Sequence, residues 1–286
     1  MKNFIAELIV FSVLIAIFSG CVQQGAYENN TSTANSPLEL RLATTTSTCD
    51  TGLLDILNKK FEEENNIKIF TLCEGTGKAI ATGELGAADV VMVHSVQAEL
   101  NAVAKGNFIN RTYMMYNYFV VIGPENDPVG IRNASNAADA FRKIAIMQSF
   151  FISRGDDSGT NRMEKSIWLA ANITPAGTWY LSVGKGMMET ITTADIKGGY
   201  TLSDRGTYLS MKERIKLRIL FESDRTYLFN PYHVMAVNPG KFPKVNYELA
   251  IKYIDYLTAP STQDIIRNFG KDKYGEALFI PAVDNN

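Results

Sequence analysis

A strand-like stretch decides the fold of this 286-residue chain: YMMYNYFVVIGP, residues 113–124. Its aromatic and β-branched residues predict one long strand, which ends at Pro124 because proline has no N–H for a neighbouring strand. Residues 228–237 contain a second strand-like run. We interpret the two runs as two crossings of the chain between lobes. Lobe I is then formed by residues 38–122 and 230–286, and lobe II by residues 123–229.

Short apolar runs alternate with helical patterns along both lobes, which is typical of α/β units. In lobe I we predict strands near residues 40–43, 67–72 and 88–94, each followed by a helix. In lobe II, apolar residues between 144 and 152 predict a buried strand, and residues 227–229 a short one. The sequence therefore predicts an α/β fold with two lobes, each a mostly parallel sheet flanked by helices, and a ligand in the crevice between them.

The N-terminus predicts an exported lipoprotein. Residues 1–21 combine a positive start, an apolar run at 8–18 and the lipobox-like end FSGC, with Cys21 as the lipid anchor. The apolar run is too short for a bilayer core, which needs about 20 residues. Residues 22–37 are rich in Gln, Asn, Ser and Thr and predict a flexible tether. An acidic residue near the apolar run and a phenylalanine in the lipobox depart from the usual pattern, so a simple secretory signal or a retained anchor stays open.

The overall composition argues against two classes of function. The formal net charge is −2, which disfavours a nucleic-acid binder that works by neutralising phosphates. The chain has two histidines, and neither has a partner at the spacing of a metal site. We therefore expect a monomer that has no resident metal or cofactor and no nucleic-acid partner.

The sequence SRGDDSGT, residues 153–160, contains the groups that an oxyanion site needs. It stands between an apolar run and a helical pattern, so the first helical N–H groups point at whatever lies above the strand. Arg154 adds a planar cationic fork that suits an oxyanion. An ordinary capped helix start is the alternative interpretation, with Asp157 or Ser158 as the N-cap and Arg154 paired to Asp156.

Two further loops rich in hydroxyl groups or glycine stand in lobe I. TTTST, residues 44–48, follows a strand and precedes an amphipathic helix, and hydroxyls placed there can cap the helix or donate to an anion. EGTG, residues 74–77, forms a similar turn, in which Thr76 is either a donor or part of a tight connection. Hydroxyl loops in both lobes predict a ligand that is gripped from two sides.

Several motifs follow one another in a fixed order: LATTTST at 42–48, GTG at 75–77, ADV at 88–90 with His94, MYNYFVVIGP at 115–124, SRGDDSGT at 153–160, YTLSDRGTY at 200–208 and NPY at 230–232. Together they closely resemble the tungstate-binding, TupA-type proteins of ABC importers, over nearly all of residues 38–282. The resemblance implies a type II substrate-binding fold and capture of a tetrahedral oxyanion between the lobes. It also implies delivery to a membrane permease that a cytoplasmic ATPase drives.

The resemblance also implies which residues contact the ligand. A tetrahedral dianion has several strong acceptor oxygens, which suit hydroxyl, backbone N–H and guanidinium donors in a dry cleft. Tungstate is the implied ligand, with molybdate as an alternative, and vanadate, phosphate and sulfate stay open because the sequence does not reveal the cavity radius. The implied ligand-binding residues are Thr45, Thr46, Ser47 and Thr76 in lobe I, and Arg154, Ser158, Gly159 and Thr160 in lobe II.

The other charged and aromatic residues of these motifs are interpreted as structural. Asp156 and Asp157 are expected to orient the neighbouring arginine and to cap the helix without facing the ligand. Arg205 is expected to pair with Asp204 in a turn, and His94 to pack at a strand end. Core or crossover packing is expected for the aromatic residues Tyr116, Tyr118, Phe119, Trp168 and Trp179.

Two cysteines of the folded part allow two states. Cys49 follows the first hydroxyl loop and Cys73 ends the second strand, so adjacent strands bring them near one another, and an oxidising compartment permits a bond. We expect two buried free thiols, with a disulfide as the alternative. Asn110 and Asn172 stand in Asn-X-Ser/Thr patterns, and the sequence leaves their glycosylation open.

An exported phosphate-handling hydrolase is the alternative from another functional class, because glycine-hydroxyl loops also hold phosphate. Ser158 would be its nucleophile. No sequence pattern ties His94 or His233 to a serine and an acid, so a general base is missing. We therefore predict a binding protein and not an enzyme. Its expected location is outside the cytoplasm, at the outer face of the cell membrane.

Overall fold

The computed structural model describes residues 38–285. The predicted signal, the lipid anchor at Cys21 and the tether lie outside these residues. Among the helices between residues 38 and 285, none is both long and apolar enough to cross a membrane.

The described part alternates strands and helices. The strands are β1 (Leu38–Thr45), β2 (Ile67–Glu74), β3 (Val90–Val93), β4 (Phe108–Gly123), β5 (Phe151–Ser153), β6 (Tyr180–Ser182), β7 (Thr201–Asp204), β8 (Arg218–Phe221), β9 (Phe229–Val237) and β10 (Ile280–Pro281). The helices are α1 (Thr46–Asp50), α2 (Leu53–Asn65), α3 (Thr76–Glu84), α4 (Val96–Ala104), α5 (Ala137–Ile146), α6 (Gly159–Ala170), α7 (Met187–Lys197), α8 (Arg205–Met211), α9 (Arg225–Leu228), α10 (Tyr247–Thr258), α11 (Pro260–Asn268) and α12 (Lys271–Tyr274).

The main sheet has the strand order β10-β4-β9-β3-β1-β2. β1 lies between β2 and β3 and runs parallel to both. β9 is antiparallel to β3 and to β4. The two crossing strands, β4 and β9, therefore run in opposite directions. The parallel part of the sheet therefore carries the strand-to-helix loops of lobe I, and the antiparallel part carries the crossings.

β4 is one long strand, as its sequence predicts, and its pairing partners change along its length. Up to Tyr118 it pairs with β9, and from Phe119 it pairs with β7 and β8 of lobe II. β9, the second crossing, begins at Phe229 and runs without a break through Pro231. The two crossings lie side by side, with Asn117 opposite Asn230.

Two of the predicted strands in lobe II differ from the structure, one in its extent and one in its existence. Residues before Met147 form helix α5, and only Phe151–Ser153 is a strand. The side chains of Ala137, Phe141 and Ile144 fall at helical spacing and are buried, and Asn136 caps the helix. Residues 227–229 are not a separate strand, because α9 ends at Leu228 and β9 begins at the next residue.

Helices cover both faces of the main sheet. Side chains of β1 alternate between the faces, with Leu40 and Leu42 on one side and Ala43 on the other. The first face packs on α2 and α10, and the second on α3 and α4. Lobe II has an aromatic core of its own around Phe141, Phe151 and Trp168. Rigid packing on both sides thus fixes where the loops of each lobe begin.

Candidate ligand site between the two lobes

The hydroxyl loop of lobe I is a buried cluster of hydrogen-bonded side chains. β1 ends at Thr45 and α1 begins at Thr46, so the loop is a direct strand-to-helix step. Thr45 Oγ1 lies 2.6 Å from Thr48 Oγ1 and 3.2 Å from Ser47 Oγ. These hydroxyls therefore orient one another, and part of their donor capacity is used inside the loop.

The arginine loop of lobe II follows β5 and leads into α6. Gly155 has a φ of +63°, and a Cβ at this residue would lie only 1.7 Å from Ser182 Oγ, so only glycine fits. Arg154 is 2% exposed, and its Nη2 donates to Asp156 Oδ2 at 2.6 Å. Asp156 also accepts from the backbone N–H of Ser158 at 3.2 Å. The predicted orienting role of Asp156 is confirmed.

The cap of α6 is Ser158, one of the two residues that the sequence offered for this position. Its Oγ accepts from the backbone N–H of Asn161 at 3.2 Å. Asp157 instead pairs with Arg162, at 2.6 Å between Oδ2 and Nη2. Ser158 thus serves as a helix cap, and its role as a ligand donor stays a prediction.

Close contacts join the two lobes at this site. Arg154 Nη2 donates to Thr46 Oγ1 at 3.2 Å. A Cβ at Gly75 would lie 3.3 Å from the backbone oxygen of Asp156, and a Cβ at Gly159 only 2.7 Å from His94 Cε1. These glycines therefore permit the approach of one lobe to the other, and all the predicted site residues lie at or beside this junction.

Several buried polar atoms in the two strand-to-helix loops of lobe I and in the arginine loop have no hydrogen-bond partner among the described residues. They are Thr76 Oγ1 in lobe I, Thr160 Oγ1 and Arg154 Nε in lobe II, and Thr44 Oγ1 at the end of β1. A buried group without a partner costs about 1–3 kcal/mol, so such groups are rare and call for a physical explanation. Three of the four belong to residues that the sequence predicts as ligand donors. Donors from both lobes suit a tetrahedral oxyanion.

A buried carboxylate is hydrogen-bonded to the first residue of the arginine loop. Glu164 on α6 is 2% exposed and accepts from Ser153 Oγ at 2.6 Å and from Tyr180 Oη at 2.7 Å. Trp168 Nε1 and Asn161 Nδ2 donate to the same carboxylate at 3.1 and 3.3 Å. Burial raises the pKa of Glu164, although these donors oppose the shift. The network fixes the residue next to Arg154, and no sequence motif points to it.

His94 packs at a strand end as predicted, on Tyr232, and it also touches the site. Its Nδ1 lies 2.9 Å from Asn230 Oδ1 and its Nε2 3.4 Å from Ser47 Oγ. Asn230 Nδ2 donates to Asn117, so Asn230 Oδ1 accepts from Nδ1–H of His94, and Nε2 accepts the Ser47 hydroxyl. Burial lowers the pKa of His94, which keeps the ring neutral at pH 7.

Known proteins with similar sequences and structures identify the family. Residues 30–261 match the model of the PBP superfamily domain. The chain is 40% identical over 283 residues to the tungstate-binding protein TupA of Peptoclostridium acidaminophilum, covering 98% of this chain and 99% of that protein. This chain belongs to the TupA family. Structures agree: the crystal structure of the tungstate ABC transporter from Geobacter sulfurreducens has 48% identity and a TM-score of 0.73, covering 81% of this chain and 98% of its own.

A second solved structure supports the same family assignment. The tungstate-binding protein TupA from Desulfovibrio alaskensis is 43% identical, with a TM-score of 0.71 over 85% of this chain and 98% of that one. Membership of the TupA family confirms the predicted two-lobed fold.

Two structural expectations for this TupA-family chain are wrong. Arg205 does not pair with Asp204; it pairs with Glu222 and Glu276. Asp204 instead caps α8 by accepting from the backbone N–H of Thr207, because it directly precedes that helix. The expected free thiols are also absent among the described residues, since Cys49 and Cys73 form a disulfide.

The sequence could have indicated the disulfide more firmly. Cys73 lies on β2 opposite Thr44 of β1, and α1 folds back toward the same strand. The predicted adjacency of the two strands therefore already favoured a disulfide over two free thiols. Among residues 38–285, no three His, Cys, Asp or Glu side chains form a cluster that could hold a metal ion.

Proposed function

We propose that this chain is the substrate-binding protein of an ABC importer that captures tungstate between its two lobes. The observation that carries the proposal is a set of buried donors at the junction of the lobes that have no partner within residues 38–285: Thr76 Oγ1, Thr160 Oγ1 and Arg154 Nε. Relatives that are named tungstate-binding proteins support the choice of ligand.

The chemistry of the donors favours a fully deprotonated oxyanion. Guanidinium Nε–H donates only, and a threonine hydroxyl donates readily to a charged oxygen. Tungstate and molybdate are dianions without protons at neutral pH, so all their oxygens accept. Because the ring of His94 is neutral, Arg154 is a buried cation at the junction, and it is paired with Asp156. Recognition therefore rests on directed hydrogen bonds from both lobes.

The same proposal includes the location of the protein. Lipidation at Cys21 would attach the chain to the outer face of the cell membrane, and residues 22–37 would carry the two lobes within reach of the permease. The cytoplasmic ATPase of the importer would then drive uptake. The absence of a sequence pattern for catalysis supports a transport role without an enzymatic one.

A panel of oxyanions tests the ligand. Tungstate, molybdate, vanadate, sulfate and phosphate are titrated into the purified chain by calorimetry, and unfolding is followed by heat. We expect tight binding of tungstate and a stabilisation of about 2.7 kcal/mol when free ligand exceeds Kd a hundredfold. Binding of phosphate or sulfate, with no thermal shift by tungstate or molybdate, contradicts the proposal.

One observation favours the alternative of an exported hydrolase. The ring of His94 contacts the hydroxyl of Ser47 on one side and the amide of Asn230 on the other. A nucleophile, its base and an orienting group have the same arrangement in serine hydrolases. The 3.4 Å separation of Ser47 Oγ and His94 Nε2 and the burial of both residues oppose this function in the present structure. Hydrolysis of p-nitrophenyl phosphate that disappears in Ser47→Ala supports the alternative, and we expect none.

A further inference from the structure

The disulfide Cys49–Cys73 lies beside both hydroxyl-bearing loops of lobe I. Cys49 is part of α1, which begins at Thr46 directly after β1. Cys73 lies at the end of β2, shortly before Thr76 opens α3. The bond therefore joins the loop that follows β1 to the loop that follows β2.

The two joined segments are a short helix and an edge strand. α1 has five residues, and no described side chain caps its N-terminus. A helix of this length is not stable without tertiary contacts. β2 is an edge strand that pairs with β1 alone in the described sheet, and α3 also begins without a side-chain cap. The covalent bond thus joins an uncapped short helix to a strand that has a neighbour on one side only.

The same two loops face the arginine loop of lobe II. Thr46 Oγ1 accepts from Arg154 Nη2 at 3.2 Å. Beside Thr76, a Cβ at Gly77 would lie 2.6 Å from Asp157 Oδ2. Because the loops approach lobe II this closely, a small shift of either one alters the distances between donors of the two lobes.

We propose that the Cys49–Cys73 bond is a positioning element of the ligand site, which holds Thr46 and Thr76 in register with the arginine loop. The inference rests on the proposed function. Reduction adds two electrons and two protons and converts the bond into two thiols. The loops then separate, and affinity for a tetrahedral oxyanion falls. Cys73 is exposed, so a soluble dithiol reaches the bond.

The double variant Cys49→Ser with Cys73→Ser tests the inference. We expect Kd for tungstate to rise about tenfold, since the loops must be ordered when the ligand binds. Calorimetry is done at a temperature at which circular dichroism shows the parent and the variant fully folded. Amide hydrogen exchange should become faster at residues 44–50 and 73–79 and stay unchanged at 153–160, a local pattern that a general loss of stability does not produce.

The parent protein offers a reversible version of the same test. Dithiothreitol reduces the bond and becomes its own cyclic disulfide, and it is removed under argon before titration. We expect weaker tungstate binding after reduction and full recovery after reoxidation. Titration of the reduced and reoxidised parent also tests the inference if the double variant does not fold.

A control separates positioning from general stability. Leu249 on α10 is buried against the core on the α2 side of the sheet, and Leu249→Ala should lower the melting temperature without changing Kd. Parental affinity in the double variant, or equal weakening by Leu249→Ala, overturns the inference. If the oxidised parent binds neither tungstate nor molybdate, the proposed function fails instead, and hydrogen exchange still decides whether the bond orders the loops.

Discussion

The hydroxyl loop of lobe I and the arginine loop of lobe II hold donors at the same junction by different means. The lobe I loop leads into a five-residue helix, and a disulfide ties it to the neighbouring edge strand. The lobe II loop leads into the longer helix α6, and Ser153 at its start donates a hydrogen bond to the buried carboxylate of Glu164. Each loop is therefore held by more than its own helix, by a covalent bond in lobe I and by a buried hydrogen-bond network in lobe II.

The difference also appears in the hydrogen bonding of the donors. In lobe I, Thr45 and Ser47 are bonded to other hydroxyls of their own loop, whereas Thr76 is unpartnered among residues 38–285. In lobe II, Arg154 has one nitrogen fixed by Asp156 and another without a partner in that same range. The arginine loop thus supplies a charged donor with a defined direction. Lobe I supplies neutral donors, so the largest effects are expected from lobe II.

The substitution Arg154→Lys is the strongest test of that asymmetry. Lysine keeps the charge but loses the planar fork, so the contacts with Asp156, Thr46 and the ligand cannot all be made. We expect a loss of about 2 to 5 kcal/mol in tungstate binding by calorimetry. Arg142→Lys is the matched control, because Arg142 on α5 is half-exposed and pairs with Asp139 of the same helix. Parental affinity in Arg154→Lys would make Arg154 a structural residue.

Removing the charge of Glu164 tests the support of the arginine loop. In Glu164→Gln an amide N–H₂ replaces one oxygen and faces side chains that donate to it in the parent. We expect a loss of about 1–3 kcal/mol in the free energy of unfolding, measured with urea, and weaker tungstate binding. Glu248→Gln on α10 changes an exposed glutamate and should do neither. Unchanged binding in a destabilised Glu164→Gln would show that the network serves the fold alone.

Replacing single hydroxyls by methyl groups compares the neutral donors of the two lobes. Thr76→Val and Thr160→Val should each cost about 0.5 to 1.5 kcal/mol in tungstate affinity. The same variants should not destabilise the ligand-free protein, because the removed hydroxyls have no partner among the described residues. Thr192→Val, which removes an exposed hydroxyl on α7, is the control. Loss of stability without loss of affinity would assign both threonines to the fold.

The dependence of stability on pH tests whether His94 is a buried neutral ring in the folded protein. The unfolded chain takes a proton on this ring near pH 6.5, whereas burial lowers the pKa in the folded protein. The unfolded state therefore binds more protons below that pH, and stability falls as pH decreases. The loss attributable to His94 should reach up to about 0.8 kcal/mol at pH 6.

Nearby charges set the size of this effect. Asp204 and Glu99 favour the protonated ring, and Arg154 disfavours it. Urea unfolding of the parent and of His94→Gln at pH 6 and pH 8 measures the difference. An identical pH dependence in the two proteins would show that His94 does not resist protonation in the folded state.

Predictions from the sequence succeeded where a pattern is local. The two crossing strands are long runs of strand-forming residues, and both loops combine hydroxyl groups with the start of a helix. Asp156 beside Arg154 is also a local feature. The interpretation failed in lobe II where an apolar run was too short to separate a helix from a strand, as at α5. It failed again for Arg205, whose partner Glu276 comes from a distant part of the chain.

The sequence by itself determined the two long strands β4 and β9, the position of each hydroxyl loop at a strand end and the presence of one arginine in the loop that follows β5. These features depend on residues close together in the chain. The tertiary structure alone decided that Cys49 and Cys73 are bonded, that Glu164 lies beneath the arginine loop and that His94 touches Ser47 and Asn230. Each of these contacts depends on which elements pack together, because side chains from separate elements meet only when burial of the apolar faces has set their distance.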